Sequence, residues 1–359
     1  MGDPVIACTV IVSTRNRAHF LADCLASLSA QRCSVPYEIV VVDNGSTDST
    51  PQVLEEWRGK EPRLRTARED RVGVSRGKNA GIRMARGSLL LFTDDDVRAD
   101  PRWIQSYKDL FSRIEADLVL AGGPIEPIAE DLGTWPNWFH PDALIDLGLW
   151  TYPEERRLEA SEYVFGANMA APADLFRRFG PWDENLGPMG DDRTAHEDTE
   201  LQDRVRPAGV PVWFCPAAIV QHRVSPEHAS ARSVISRAFA RGRNDFWKEG
   251  LRRYGDEASV PKQPALSAAL SLGARLAREA VRIAAFRASR DPRSFNRARL
   301  AAWRTGWAME TLRPGRATTR LFRGIGRVTL WVQTLLPRLV PAASDAAPAS
   351  ARPPGPTAG

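Results

Sequence analysis

The sequence predicts an α/β fold: a largely parallel central sheet flanked by helices, followed by a basic helical region. Two observations predict the sheet. Short apolar, β-branched runs alternate with helix-period segments over residues 5–123, and polar clusters rather than hairpin turns separate them. A third observation predicts the appendage. Residues 1–225 carry 25 Lys/Arg against 35 Asp/Glu, a net of −10, whereas residues 226–340 carry 23 against 8, a net of +15. A chain of 359 residues is long enough for one catalytic domain with an attached region of different character.

The first strand is "VIACTVIVS", a continuous run of the kind buried on both faces of a sheet. In "AHFLADCLASLSAQ", the spacing of Phe20, Leu21, Cys24, Leu25 and Leu28 predicts a helix with one apolar face. "YEIVVVD" is the second strand, closed by the turn cluster "NGSTDST", and Thr50–Pro51 opens the next helix. A short strand around Leu64, a helix through "SRGKNAGIRMA" and the strand "SLLLF" follow. Asp100–Pro101 reads as a cap and first helical residue, and "DLVLAGG" as a further strand.

From residue 124 the pattern loosens. "GTWPNWFHPDALIDLGLW" reads as an irregular substrate-side excursion, "APADLFRRFG" as a helix of about three turns, "AHEDTELQDRVRPAG" as another helix, and "VPVWFCPAAIVQH" as strand-like. This divides the first domain into halves at about 1–123 and 124–225. Residues 226–340 form a basic amphipathic helical region, and the Pro/Ala/Ser-rich residues 341–359 a disordered tail. Arginines beside Trp303, Trp307 and Trp331 fit an anionic membrane surface, although the apolar core of "LFRGIGRVTLWVQTLLPRLV" is too short to span. A soluble helical cap is the competing reading. No leader pattern precedes "VIACTVIVS", so a cytoplasmic chain is expected, peripheral on the inner face of the plasma membrane if the basic region binds lipid. The four cysteines lack metal or redox spacing and read as reduced, mostly buried thiols.

In an open parallel sheet, ligands gather beyond the C-terminal strand ends. "STRNR" follows the first strand there, Asp43 closes the second, and the triplet Asp94–Asp95–Asp96 closes "LLLFT". Asp43 before Asn44–Gly45 also suits a plain turn. An extended triplet would send Asp94 and Asp96 one way and Asp95 the other. Two carboxylates on one side suit Mg²⁺, which fills its remaining positions with water and phosphate oxygens; a solvated acidic turn is the alternative. Arg71, Arg76 and Lys78 in "RVGVSRGKNAG" add positive charge suited to a nucleotide diphosphate. Thr194 and Glu197 have capping-box spacing, which would put Asp198 in a first helical turn, where the helix dipole keeps a carboxylate ionised. His222 ends the last strand. The chain has no "GxGxxG" after the first strand, no "GxxxxGK[ST]", no "HExxH" and no nucleic-acid motif, so nucleic acid is not an expected partner.

Taken in order, "VIVSTRNR", "EIVVVDNGSTDST", "GVSRGKNAGIRMARGSLLLFTDDDV", "FGANMAAPADLFRRFGPWDENLG", "HEDTELQDRVRPAG" and "AIVQH" resemble inverting family 2 glycosyltransferases of the GT-A fold, over roughly residues 5–225. The resemblance implies metal-dependent transfer of a sugar from a nucleotide-diphosphate donor to an acceptor hydroxyl, on a glycan or a lipid-linked sugar. It implies that Thr14, Asp43 and Arg76 meet the base and ribose, and that Asp94 and Asp95 meet the ribose and diphosphate. Asp96 would bind Mn²⁺ or Mg²⁺ with His222 as a further ligand, and Asp198 would be the base. Asn168, Trp182 and Glu197 fall on the acceptor side. Arg15 stands where the family often has an aromatic residue, which leaves the donor's base open. A sugar-phosphate nucleotidyltransferase would need a Gly-rich loop that "STRNR" lacks, and an inactive scaffold would be expected to lose the acids that this chain keeps.

Overall fold

The computed structural model describes residues 5–129, 132–188, 197–254 and 291–310. They fall into two compact units, one built from residues up to Ile128 together with Gly148–Arg223, the other from Ala129–Leu147 together with the residues from Val224 onward.

In the first unit, strands β1 (Cys8–Thr14), β2 (Tyr37–Asp43), β3 (Leu64–Arg68) and β4 (Leu89–Asp94) run parallel. Short strands β5 (Val97–Ala99), β6 (Leu120–Gly122) and β7 (Ile125–Ile128) come next, then β8 (Arg156–Arg157), β9 (Asn168–Pro172), β10 (Val212–Phe214) and β11 (Val220–Arg223). The main sheet has the order β3-β2-β1-β4-β9-β6-β10-β8, and only β9 and β8 run against the rest. A second sheet has the order β5-β11-β7.

The apolar runs become strands because both faces are covered. Val10 and Val12 of β1 pack with Leu91 against α1 (Ala18–Ser29) and α4 (Trp103–Arg113), whereas Ile11, Leu90 and Phe92 pack on the opposite side with Met169, Phe176 and Trp182. The predicted face of α1, Phe20, Leu21, Cys24, Leu25 and Leu28, is the buried one. Helix α2 (Thr50–Lys60) starts at the expected Thr50–Pro51. Helix α3 (Val74–Met84) lies against β1 where Gly77 permits it, since a Cβ there would fall 2.0 Å from Ser13 Oγ. Cys8, Cys24 and Cys215 are buried free thiols, and Cys33 is half-buried.

Several elements differ from the sequence reading. Helix α5 (Ala173–Phe179) has about two turns instead of three, because Pro172 precedes it and Gly180 leaves it at φ +84°. "VPVWFCPAAIVQH" is two strands in two sheets, broken where Ala218 N–H bonds Cys215 O. Asp100 accepts from Arg102 N–H and closes a turn, and α4 begins only at Trp103. Helix α6 (Glu197–Val205) forms as expected, but Thr194 and its cap lie outside the described residues.

The second unit gathers residues 132–147, which end in a 3-10 segment Pro141–Leu147, with α7 (Ala231–Tyr254) and α8 (Pro292–Glu310). Phe139, Ala143 and Leu147 share a core with Val234, Ile235, Ala238, Phe295 and Ala298. The stretch expected as a substrate-side excursion is therefore core-forming here. Trp303, expected at a lipid interface, packs on this core and donates its indole N–H to Asp245. Trp307's side chain, Trp331, the helical segment expected at 266–286, the apolar segment at 321–340 and the tail at 341–359 lie outside the described residues. Among the described residues, no helix is long and apolar enough to cross a membrane.

Candidate active site

Parallel register aligns the polar strand ends. Thr14 faces Asp43, and Ser13 faces Asp94, so β1, β2 and β4 finish at one edge. The acidic triplet is not extended. Asp94 ends β4, Asp95 and Asp96 make a turn, and Val97 starts β5 in the other sheet.

That corner sends neighbouring carboxylates to different partners. Thr14 Oγ1 donates to Asp95 Oδ2 at 2.6 Å. Arg17 Nη1 donates to Asp96 Oδ2 at 2.7 Å, and His222 Nε2 lies 3.4 Å from Asp96 Oδ1. The backbone of Arg223 donates to Asp96 O at 2.8 Å, tying β11 to the turn. Burial and the charge of Asp96 push Asp94 up to about 6 and Asp95 up to about 7. Burial acts on Asp96 as well, yet His222 and Arg17 hold it well below the ordinary carboxylate range.

Asp43 accepts from Ser46 N–H at 2.9 Å and from Arg68 Nη1 at 2.8 Å, so it closes its turn while standing at the sheet edge. Arg15 is exposed. Arg76 donates to Val72 O at 3.1 Å and lies 3.6 Å from Glu184.

A second buried cluster surrounds Asp198, in the first turn of α6. Asp198 Oδ2 accepts from Gly166 N–H at 2.8 Å, and Oδ1 accepts from Trp182 Nε1 at 3.2 Å and Lys78 Nζ at 3.1 Å. Lys78 also lies 3.7 Å from Glu197. Burial pushes the Lys78 ammonium down, but the carboxylates of Asp198, Glu197 and Asp94 raise it well above its usual range. It is a fixed positive charge.

Asn168 and Trp182, expected on the acceptor side, are interior residues. Asn168 Oδ1 accepts from Trp103 Nε1 at 2.8 Å and Tyr107 Oη at 2.7 Å, and its Nδ2 donates to Pro124 O at 2.8 Å and Ala218 O at 2.7 Å. The amide of Asn168 is saturated and its surface fully covered. Trp182 is equally buried, and its polar contact is with Asp198. Glu197 is buried beside Lys78.

The sequence assigns no site role to Arg17, Arg68 or Gly166. Arg17 has a usable signal, since it lies in the loop beyond the first strand end. Lys78 is expected as positive charge for a nucleotide diphosphate, and nothing in the sequence ties it or Gly166 to Asp198.

The donor set at Asp96 is one carboxylate with one imidazole nitrogen close by. Among the described residues no group of three or more His, Cys, Asp or Glu is arranged to hold a metal. Two protein donors do fit a divalent cation whose other positions go to diphosphate oxygens and water.

Residues 9–178 match the family model described as "Glycosyl transferase family 2". The chain is 23% identical over 239 residues to a glucosyl-dolichyl phosphate glucuronosyltransferase of Haloferax volcanii, covering 66% of this chain and 74% of that protein. It is 27% identical over 227 residues to a validoxylamine A glucosyltransferase of Streptomyces hygroscopicus subsp. jinggangensis, covering 57% of this chain and 52% of that one. Among solved structures, a mannosyltransferase from Pyrobaculum calidifontis in complex with GDP-Man and Mn²⁺ superposes with a TM-score of 0.49 at 18% identity, covering 94% of this chain and 86% of that one.

Proposed function

With residues 9–178 matching the model of glycosyl transferase family 2, we propose that the chain is an inverting, metal-dependent transferase that moves a sugar from a nucleotide-diphosphate donor to an acceptor hydroxyl. The observation that carries this reading is the pairing of two acidic centres with different surroundings. The Asp94–Asp96 corner stands at the aligned strand ends with Thr14 and Asp43. Asp198 is held by three donors at the start of α6.

In this reading Thr14, Asp43 and Asp95 receive the nucleoside end of the donor, with Arg15 in the loop after β1 and Arg76 in the first turn of α3. Asp94 and Asp96 face the diphosphate. Asp96 and His222 would hold the divalent cation, which when bound neutralises charge on the leaving diphosphate. Arg17, on the Asp96 side of the site, is a second positive group suited to that charge. The Asp198 carboxylate takes the proton of the acceptor hydroxyl as its oxygen forms a bond to the anomeric carbon. The bond from that carbon to the diphosphate oxygen breaks on the opposite face, the electron pair leaves with the nucleoside diphosphate, and the configuration inverts. The first relative's name supports a lipid-linked acceptor. The arginines of the basic C-terminal region support attachment to an anionic membrane surface. Flotation of the full chain with phosphatidylglycerol vesicles tests that attachment; failure to float at low salt sinks it.

The central test is Asp198→Asn. Nucleotide release from a panel of UDP- and GDP-sugars should fall by roughly 10³-fold, with donor affinity kept. Near-normal transfer by the variant would overturn the assignment. No nucleotide release by the unaltered chain from any donor, with and without Mn²⁺, would favour the inactive-scaffold reading.

A further inference from the structure

Lys78 is an unusual residue to find buried on a helix face. It is nearly solvent-free on α3, and three groups from other elements surround its ammonium. Asp198 Oδ1 lies at 3.1 Å, Glu197 Oε1 at 3.7 Å, and the Trp182 ring centroid at 5.1 Å. The neighbouring Asn79 clamps the same tryptophan by its backbone: Nδ2 donates to Trp182 O at 2.9 Å, and Trp182 N–H donates to Asn79 Oδ1 at 3.0 Å. Gly166 makes room for the ammonium. A Cβ at that position would fall 2.2 Å from Lys78 Nζ and 2.7 Å from Asp198 Oδ1.

The two oxygens of Asp198 are therefore not equivalent. Oδ1 already accepts from Lys78 and from Trp182. Oδ2 accepts only the Gly166 N–H among the described contacts, which leaves it a lone pair. Lys78 also stands among the carboxylates of Asp198 and Glu197, with Asp94 acting on it from β4.

We propose that Lys78 is the positioning residue of the base: it occupies Oδ1, balances the charge of α6, and leaves Oδ2 as the oxygen that takes the acceptor proton. This rests on the reading of Asp198 as base. Gly166 is part of the device, since its backbone N–H orients Oδ2 and its missing side chain admits the ammonium.

The experiment compares Lys78→Gln, Lys78→Arg and Gly166→Ala with the unaltered chain, by nucleotide release from the panel donor that gives the highest rate. Lys78→Gln should lower kcat by about 10²-fold and change the donor KM less than threefold. Lys78→Arg should restore most of kcat. Gly166→Ala keeps every charge while pressing on the ammonium, and should lower kcat with little change in donor KM. Unaltered kcat in Lys78→Gln overturns the proposal. If that variant does not fold, unaltered kcat in Gly166→Ala overturns it instead. A readout independent of any substrate is the ¹H–¹⁵N signal of the Lys78 ammonium. That signal should move in Asp198→Asn, and an unmoved signal removes the pairing. Loss of transfer in Asp198→Asn with normal behaviour of both Lys78→Gln and Gly166→Ala would leave the base in place and sink only this inference.

Discussion

Asp96 and Asp146 are both buried aspartates with two nitrogen-bearing side-chain partners, one aspartate in each unit of the molecule. Asp146 is held by Arg241 Nε and Arg299 Nη1, each at 2.8 Å; its side chain is 0% exposed, that of Arg299 4% and that of Arg241 28%. Asp96 is held by Arg17 at 2.7 Å and His222 at 3.4 Å, with partners 33% and 22% exposed. The carboxylates are similarly shielded, so the difference lies in their partners. Around Asp146 one arginine, Arg299, is buried in the core of the second unit, and the two arginines fasten α7 and α8 to the 3-10 segment. Around Asp96 both partners reach solvent. An ion pair anchored by a buried cation is a structural fastening, whereas one whose partners are both accessible suits a ligand site.

The largest effect expected from this contrast is on folding. Asp146→Asn leaves two guanidinium groups without their carboxylate, one of them almost solvent-free, and should cost about 3–5 kcal/mol in chemical denaturation. A loss under 1 kcal/mol would end the comparison. Next comes Asp96→Asn, which should reduce kcat/KM by roughly 10²–10³-fold while leaving the denaturation midpoint nearly unchanged, because removing one charge also relieves its repulsion with Asp94 and Asp95. A variant that instead loses stability like Asp146→Asn would make the corner structural. Asn168→Ala leaves two indole and phenol donors and two carbonyls unmatched, and should cost about 1–3 kcal/mol without a selective change in KM for any acceptor. The smallest effect belongs to Arg17→Gln. Its part-exposed guanidinium should contribute no more than about 1 kcal/mol, but Mn²⁺ affinity in the absence of donor, read by electron paramagnetic resonance, should tighten several-fold as a competing cation is removed. Weakened Mn²⁺ binding would show that Arg17 supports the cation site.

What the sequence made readable follows from how local each feature is. The β-branched runs and the apolar face of α1 depend on neighbours two to four residues away, and they appear where expected. The strand-end acids could be placed at one edge because parallel topology aligns such ends. The roles of Asn168 and Lys78 could not be read this way. The partners of Asn168 come from residues 103, 107, 124 and 218, and Lys78 meets a carboxylate 120 positions away. A lysine in a helix is ordinarily a solvated charge, and only tertiary packing makes this one internal. The packing of the aromatic stretch at 135–147 was hidden for the same reason: its covering residues lie beyond Val224. Alternation failed at Asp95 and Asp96 because it assumes a chain that keeps going straight.

The turn at Asp95–Asp96 carries one more consequence. Residues on either side of it belong to different sheets, so the chain changes direction within a single tripeptide. The acids acquire distinct surroundings from that change of course: threonine from one layer, imidazole from the other. A peptide carrying "DDD" would reproduce the charges but none of this division. Grafting the function onto another scaffold therefore requires moving a junction, with Thr14 on one side and His222 on the other, and the engineer's transferable part is the corner itself.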